Sequence, residues 1–175
     1  MTKLVRESIN NNIPSWDELV LSAPEEIKVY IEKSKDTPQS ETWHPEGSCY
    51  NHMRIVYDRA VTSGDLNLAI AAFFHDIGKV DTTAPNRHGS YSAIGHEIVS
   101  AKLVKKYSDW ISELGANPEE VYQIVDQHMR IKQYDQMKPS KRRQFDLNPY
   151  IEKFNKFTEF DNMKTLTDEE LNRYK

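Results

Sequence analysis

From Cys49 onward, apolar residues return every three or four positions along the chain. Between Tyr50 and Val61 this spacing predicts an amphipathic helix. Ser63-Gly64-Asp65 breaks it. Asp65 then caps Leu66 to Phe74, a segment apolar on nearly every face, which reads as a central buried helix stopping at Gly78. Residues 81–90 hold Pro85, Asn86 and Gly89 and read as a loop. An amphipathic helix is expected over 91–107. Asn117, Pro118, Glu119 and Glu120 form a cap, a first-turn proline and two acids, predicting a helix to about Ile131. Lys138 to Arg143 reads as a basic loop, and Asn148-Pro149 opens a last helix to about Met163. Upstream, Pro14 to Glu18 looks like a helix start capped by Ser15 or Asp17. Ala23-Pro24-Glu25-Glu26 opens another helix to about Lys33, and 34–42 reads as a polar loop. Strand-like alternation is scarce. The expectation is an all-α, irregular helical bundle: a helical extension over 1–42, the main domain over 43–163 and a tail over 164–175.

The chain has 175 residues, enough for one domain with its own core. Lys plus Arg is 23 against 27 for Asp plus Glu, and the net charge of -4 argues against a stable nucleic-acid coat or an anionic membrane surface as partner. The longest apolar run, Leu68 to Phe74, falls far short of the ~20 residues a membrane span needs. The opening MTKLVRESINNN lacks the apolar stretch of a signal peptide. A single cysteine, Cys49, excludes an internal disulfide, reads as a packing residue and fits a reducing cytoplasm. Six histidines against that one cysteine mean that a metal site here would be built from nitrogen and oxygen.

The informative feature is His75-Asp76 at the end of the apolar helix. Burying two titratable groups is costly unless something compensates. Taken alone, the pair reads most simply as a hydrogen-bonded His–Asp couple. It is not alone: His52, His96, His128 and Asp161 sit on other helical segments, flanked by apolar residues such as Ile94 and Ile98, Val125 and Ile131, Phe157 and Phe160. Converging helices can assemble a full coordination sphere from such side chains. Neighbours on a helix point about 100° apart. His75 and Asp76 therefore hold one ion if the helix end relaxes near Gly78, or two ions if the carboxylate bridges. Imidazole and carboxylate suit Mn, Fe, Ni, Co or Zn, with Mg admissible, and such ions turn water into a nucleophile near neutral pH.

The order His52, His75-Asp76, Asp161 resembles the HD-domain superfamily of metal-dependent phosphohydrolases, and the added His96 and His128 resemble its members with a fuller, two-metal site. The segments Trp43-His44-Pro45-Glu46-Gly47, Phe74-His75-Asp76-Ile77-Gly78-Lys79, Arg87-His88-Gly89, Gly95-His96-Glu97 and Gln127-His128-Met129-Arg130 look like the HD domain of bacterial CCA-adding tRNA nucleotidyltransferases. No Gly-Ser followed by an Asp-x-Asp pair occurs, so a free-standing HD protein is expected. The resemblance implies a helical bundle with one or two divalent metals at its centre. It also implies a nucleotide or RNA-end phosphate as substrate, hydrolysed as a 2′,3′-cyclic phosphodiester, a 2′-phosphomonoester or a simple phosphate ester. Deoxynucleotide 5′-phosphohydrolysis, a silent metal-keeping regulatory module and an HD-like di-iron oxygenase are the alternatives.

Carried over by position, His52, His75, Asp76 and Asp161 would hold a first metal, and Asp76, His96 and His128 a second. Asp76, Lys79, His96 and His128 would be catalytic. Lys79, Arg87, His88 and Arg130 would contact substrate phosphate. Glu159 and Asp168 stay open as alternatives to Asp161. His44 reads mainly as a structural lead-in to the His52 helix. The Lys138–Arg143 cluster reads as solvated, with steering of an anionic nucleotide as its other reading.

Overall fold

The structure is a computed structural model, and it describes residues 13–174. Helix α1 (Trp16–Ser22) starts where the Ser15 hydroxyl accepts from the Glu18 amide at 3.2 Å. Helix α2 (Glu25–Ser34) follows Pro24 with two acids at its positive end. Helix α3 (Cys49–Ser63) is capped by Ser48, and α4 (Leu66–Phe74) by Asp65, whose carboxylate accepts from the Leu68 amide at 3.0 Å.

Every residue of α4 from Leu68 to Phe74 is fully buried, so this helix is the axis of the molecule. Burying a side chain the size of Leu68, Ile70, Phe73 or Phe74 stabilises the fold by roughly 1.5–3 kcal/mol before entropy is counted. Helices α3, α6 (His96–Lys106), α8 (Pro118–Gln127) and α10 (Ile151–Asp161) all pack against α4. The N-terminal helices share this core. The Trp16 ring lies 5.2 Å from Phe73 and 5.5 Å from Tyr57, centroid to centroid.

Several elements depart from the periodicity reading. The central helix ends at Phe74, four residues before Gly78, and a turn over 75–78 leads into the short α5 (Lys79–Thr82). Residues 81–90 are not simply a loop and 91–107 not one helix. Strands β1 (Thr83–Pro85) and β2 (Tyr91–Ala93) pair antiparallel, Thr83 opposite Ala93 and Pro85 opposite Tyr91. Helix α6 begins only at His96, after Gly95 turns the chain at φ 80°, a conformation that costs glycine nothing. After α7 (Ser108–Glu113), α8 stops at Gln127 rather than Ile131, and a 3-10 segment covers Ile131–Gln136.

The basic cluster is helical. Helix α9 (Pro139–Asp146) has proline in its first turn and helix-forming Lys and Arg after it, and it buries Phe145 against Phe154. The last long helix starts at Ile151 and ends at Asp161. Beyond it a 3-10 turn (Met163–Thr165) leads to α11 (Asp168–Arg173), begun by a Thr167–Glu170 capping box. The Arg59 guanidinium grips Glu170 with two bonds, 2.7 and 2.9 Å, and donates to the Phe160 carbonyl at 2.9 Å, tying α11 to α3 and α10. Among the described residues no helix is long and apolar enough to cross a membrane.

Candidate metal centre

Five helix ends meet beside α4. His52 lies in the first turn of α3, and His75 follows the last residue of α4. His96 opens α6, His128 follows α8, and Asp161 closes α10. With Asp76, all six side chains are between 0% and 6% exposed. The glycine after Ile77 lets α6 approach: a Cβ on Gly78 would stand 2.2 Å from the His96 carbonyl oxygen, and the Gly78 amide donates to Ser100 Oγ at 2.8 Å.

The ring orientations follow from ordinary hydrogen-bond accounting. The last turn of a helix leaves carbonyls such as those of Ala72 and Val125 without amide partners, and Ala93 ends strand β2. His75 Nδ1 lies 2.7 Å from Ala72 O, His96 Nδ1 2.9 Å from Ala93 O, and His128 Nδ1 2.6 Å from Val125 O. In each case the carbonyl is three residues back. His52 Nδ1 instead faces the buried Glu46 carboxylate at 2.6 Å. A carbonyl or carboxylate oxygen can only accept, so each Nδ1 carries a proton and each neutral ring turns a bare Nε2 inward.

Those four Nε2 atoms point at one another in pairs. His52 and His75 stand 3.2 Å apart at Nε2, as do His96 and His128. Two lone pairs at that separation repel unless something positive lies between them. Asp161 Oδ1 stands 2.7 Å from His52 Nε2 and 3.3 Å from His75 Nε2, and Asp76 Oδ2 stands 3.3 Å from both. Asp76 Oδ1 faces the other pair, 3.0 Å from His96 Nε2 and 3.4 Å from His128 Nε2. Ligands held about 2.1 Å from a common centre stand about 3.0 to 3.4 Å apart for octahedral or tetrahedral angles. The donors thus form two sets, His52-His75-Asp76-Asp161 and Asp76-His96-His128, sharing Asp76 as a bridge. Their chemistry, imidazole with carboxylate and no thiolate, fits divalent metals.

The electrostatics agree. Burial alone would favour neutral acids, but His75 and Lys79 beside Asp76, and Lys132 and His52 beside Asp161, hold both carboxyls well below the usual range. Burial opposes a charged His75, yet Asp76 and Asp161 outweigh it and push that imidazole up to about 9. Burial is likewise overcome at Glu46, where His44 and His52 bring the carboxyl down to about 2. At His128 burial wins, and the ring is held below its ordinary value. Without an ion, the two acids draw protons to His75; the site is built for positive charge.

A family model for the HD domain matches residues 49–151. The chain belongs to the HD-domain family. Members of that family are generally metal-dependent hydrolases, and the buried His/Asp cluster is where its divalent metals would sit. Neither a curated protein nor a solved structure matches the chain. Asp161 and Glu46 lie outside the matched HD span and join the centre through geometry alone.

Lys79 follows the HD pair as expected. Its ammonium lies 3.1 Å from Asp76 Oδ2, which outweighs burial and keeps it charged, and donates to Gln39 Oε1 at 2.8 Å. With His96, His44, Trp43 and the exposed Arg130 it lines a cavity of about 510 Å³ beside the centre. Arg87 and His88 do not join it: they are exposed at the tip of the β1–β2 hairpin, outside the cavity wall. Glu159 and Asp168 are also exposed, away from the ligand sets. The Lys138–Arg143 cluster lies along α9 and lines neither this cavity nor the one beside Asp161. Cys49 packs as anticipated, its thiol donating to the Asp76 carbonyl at 3.4 Å and pushed up in pKa by burial.

Sequence reasoning missed two groups. Glu46 looked like part of a turn, yet it orients His52. Lys132, four residues after His128, sits 2.7 Å from Asp161 Oδ2. A carboxylate set in a turn six positions before a helix-start histidine was the signal available for the first.

Proposed function

We propose that this HD-domain protein hydrolyses phosphate esters of nucleotides or RNA ends, acting as a 2′,3′-cyclic phosphodiesterase, 2′-nucleotidase or phosphatase. The observation that carries the reading is the pair of donor sets sharing Asp76 next to a cavity walled by Lys79. The resemblance of its motifs to the HD domain of CCA-adding enzymes supports the choice of ester.

In this account His52, His75, Asp76 and Asp161 hold one divalent ion, and Asp76, His96 and His128 a second, drawn from Mn, Ni, Co, Fe, Zn or Mg. Bound there, such ions supply Lewis acidity toward a phosphoryl group and acidify water. The chain supplies the rest. Asp76 and Asp161 stay ionised through their cationic neighbours. The Nδ1 hydrogen bonds to Ala72, Ala93, Val125 and Glu46 fix the rings so that each neutral imidazole aims its Nε2 lone pair inward. Lys79, fixed by Asp76 and Gln39, presents an ammonium where negative charge grows on phosphoryl oxygens, and Arg130 offers a guanidinium fork at the cavity wall. A cavity of this size suits a mononucleotide. The lone buried thiol is in keeping with a cytoplasmic setting.

The test is a panel of 2′,3′-cyclic, 2′-, 3′- and 5′-monophosphates with each metal. Ring opening or 2′-phosphate release, abolished in D76A, is expected. Hydrolysis of 5′-deoxynucleotides alone would move the assignment to a 5′-phosphohydrolase. Partner binding without any turnover would make this a regulatory module.

A further inference from the structure

A second cavity, of about 480 Å³, opens on the opposite ligand set. The first meets the centre at His96, the second at Asp161, and Trp43 with His44 lines both. Trp43 is 65% exposed, an unusual placement for a large aromatic side chain. The second cavity carries Lys132 and Lys164 against the single carboxylate of Asp161. Lys164 is exposed on the 3-10 turn after α10 and makes no ion pair among the described residues. The first cavity has the size for one mononucleotide, and the second, cationic one lies beyond it across Trp43 and His44.

We infer that the second cavity is a subsite for the neighbouring nucleotide of a single-stranded oligonucleotide end. Its backbone phosphate meets Lys132 and Lys164, and a base lies on Trp43 where the two cavities join. Exposed aromatic faces bind bases without regard to sequence, and adjacent lysines track the phosphate backbone. The inference deepens the proposed phosphohydrolase reading, on which it rests for the placement of the terminal phosphate at the centre. It makes the substrate class a short RNA end, not a free nucleotide.

The experiment measures binding by calorimetry in the metal-loaded protein. The probes are a mononucleotide and a trinucleotide, each ending in a hydrolysis-resistant 3′-phosphorothioate, so that the readout is independent of turnover. The trinucleotide is expected to bind about tenfold tighter or more, a gap that K164E and higher salt both shrink, while W43A weakens both ligands. Equal affinity for the two probes, or a gap that K164E leaves intact, overturns the inference, as does failure of both to bind. Turnover is scored separately: a preserved trinucleotide preference with no hydrolysis of any ester would refute the hydrolase reading and leave the subsite standing.

Discussion

Glu46 Oε2 stands 2.6 Å from His52 Nδ1, with both side chains shut away from solvent. The carboxylate meets the ring nitrogen on the far side from the one that faces Asp161, so it sets the tautomer and raises the basicity of His52. Outer partners of this kind typically tune metal affinity by about 10–100-fold. E46Q, which keeps the shape and removes the charge, is expected to lower affinity in that range with little change in thermal midpoint. Metal titration alongside a melting curve checks it. Wild-type affinity in E46Q would mean that the contact only packs the turn.

Lys79 is argued to act on substrate charge, not on the metals. K79M is therefore expected to lower kcat by about 10²–10³ while metal content stays at the wild-type value. Parallel elemental analysis and steady-state kinetics separate the roles: loss of metal in K79M would make the ammonium a structural counter-ion of Asp76.

Gly78 is where the turn after α4 touches α6. An added methyl would have to displace backbone, because its nearest neighbour is the His96 carbonyl oxygen. G78A is expected to destabilise the fold by about 1–3 kcal/mol and to weaken metal binding at the His96 set, since the start of α6 must move. Denaturant unfolding measures the first effect and metal stoichiometry the second. An unchanged midpoint would contradict the close packing described.

The Arg59–Glu170 clamp predicts an acid-sensitive tether. The guanidinium brings Glu170 from an ordinary 4.5 to about 2, outweighing partial burial. The folded-state value lies below the unfolded one, so the contribution is complete above about 4.5 and disappears as pH falls toward 2. Thermal midpoints of wild type and E170Q should differ at neutral pH and converge across that window. A constant difference down to pH 2 would show that the charge is not what holds α11.

Much of this was legible before coordinates. The caps at Ser15, Asp65 and Asn117 act through local hydrogen bonds, so their helices start where the residues indicate. That His52, His75, Asp76, His96, His128 and Asp161 would meet was legible because their order along the chain resembles that of the HD superfamily. What escaped was non-local. Three-residue strands at Thr83–Pro85 and Tyr91–Ala93 are too short to show alternation, and only their pairing makes them strands. The run Lys138–Arg143 looked like a loop because charge was read as solvation, although Lys and Arg form helices well and Phe145 supplies the anchor. Lys132 lies far along the chain from Asp161, the group it pairs with, and nothing local marks it.

The central claim is that Asp76 bridges two metal positions. Elemental analysis of purified protein, after saturation with Mn and removal of free ion, tests it most directly in wild type, D161A and D76A. Two ions per chain are expected in wild type, with the His96 set still occupied in D161A and both positions emptied or severely weakened in D76A. Wild-type stoichiometry and affinity in D76A would contradict the shared centre.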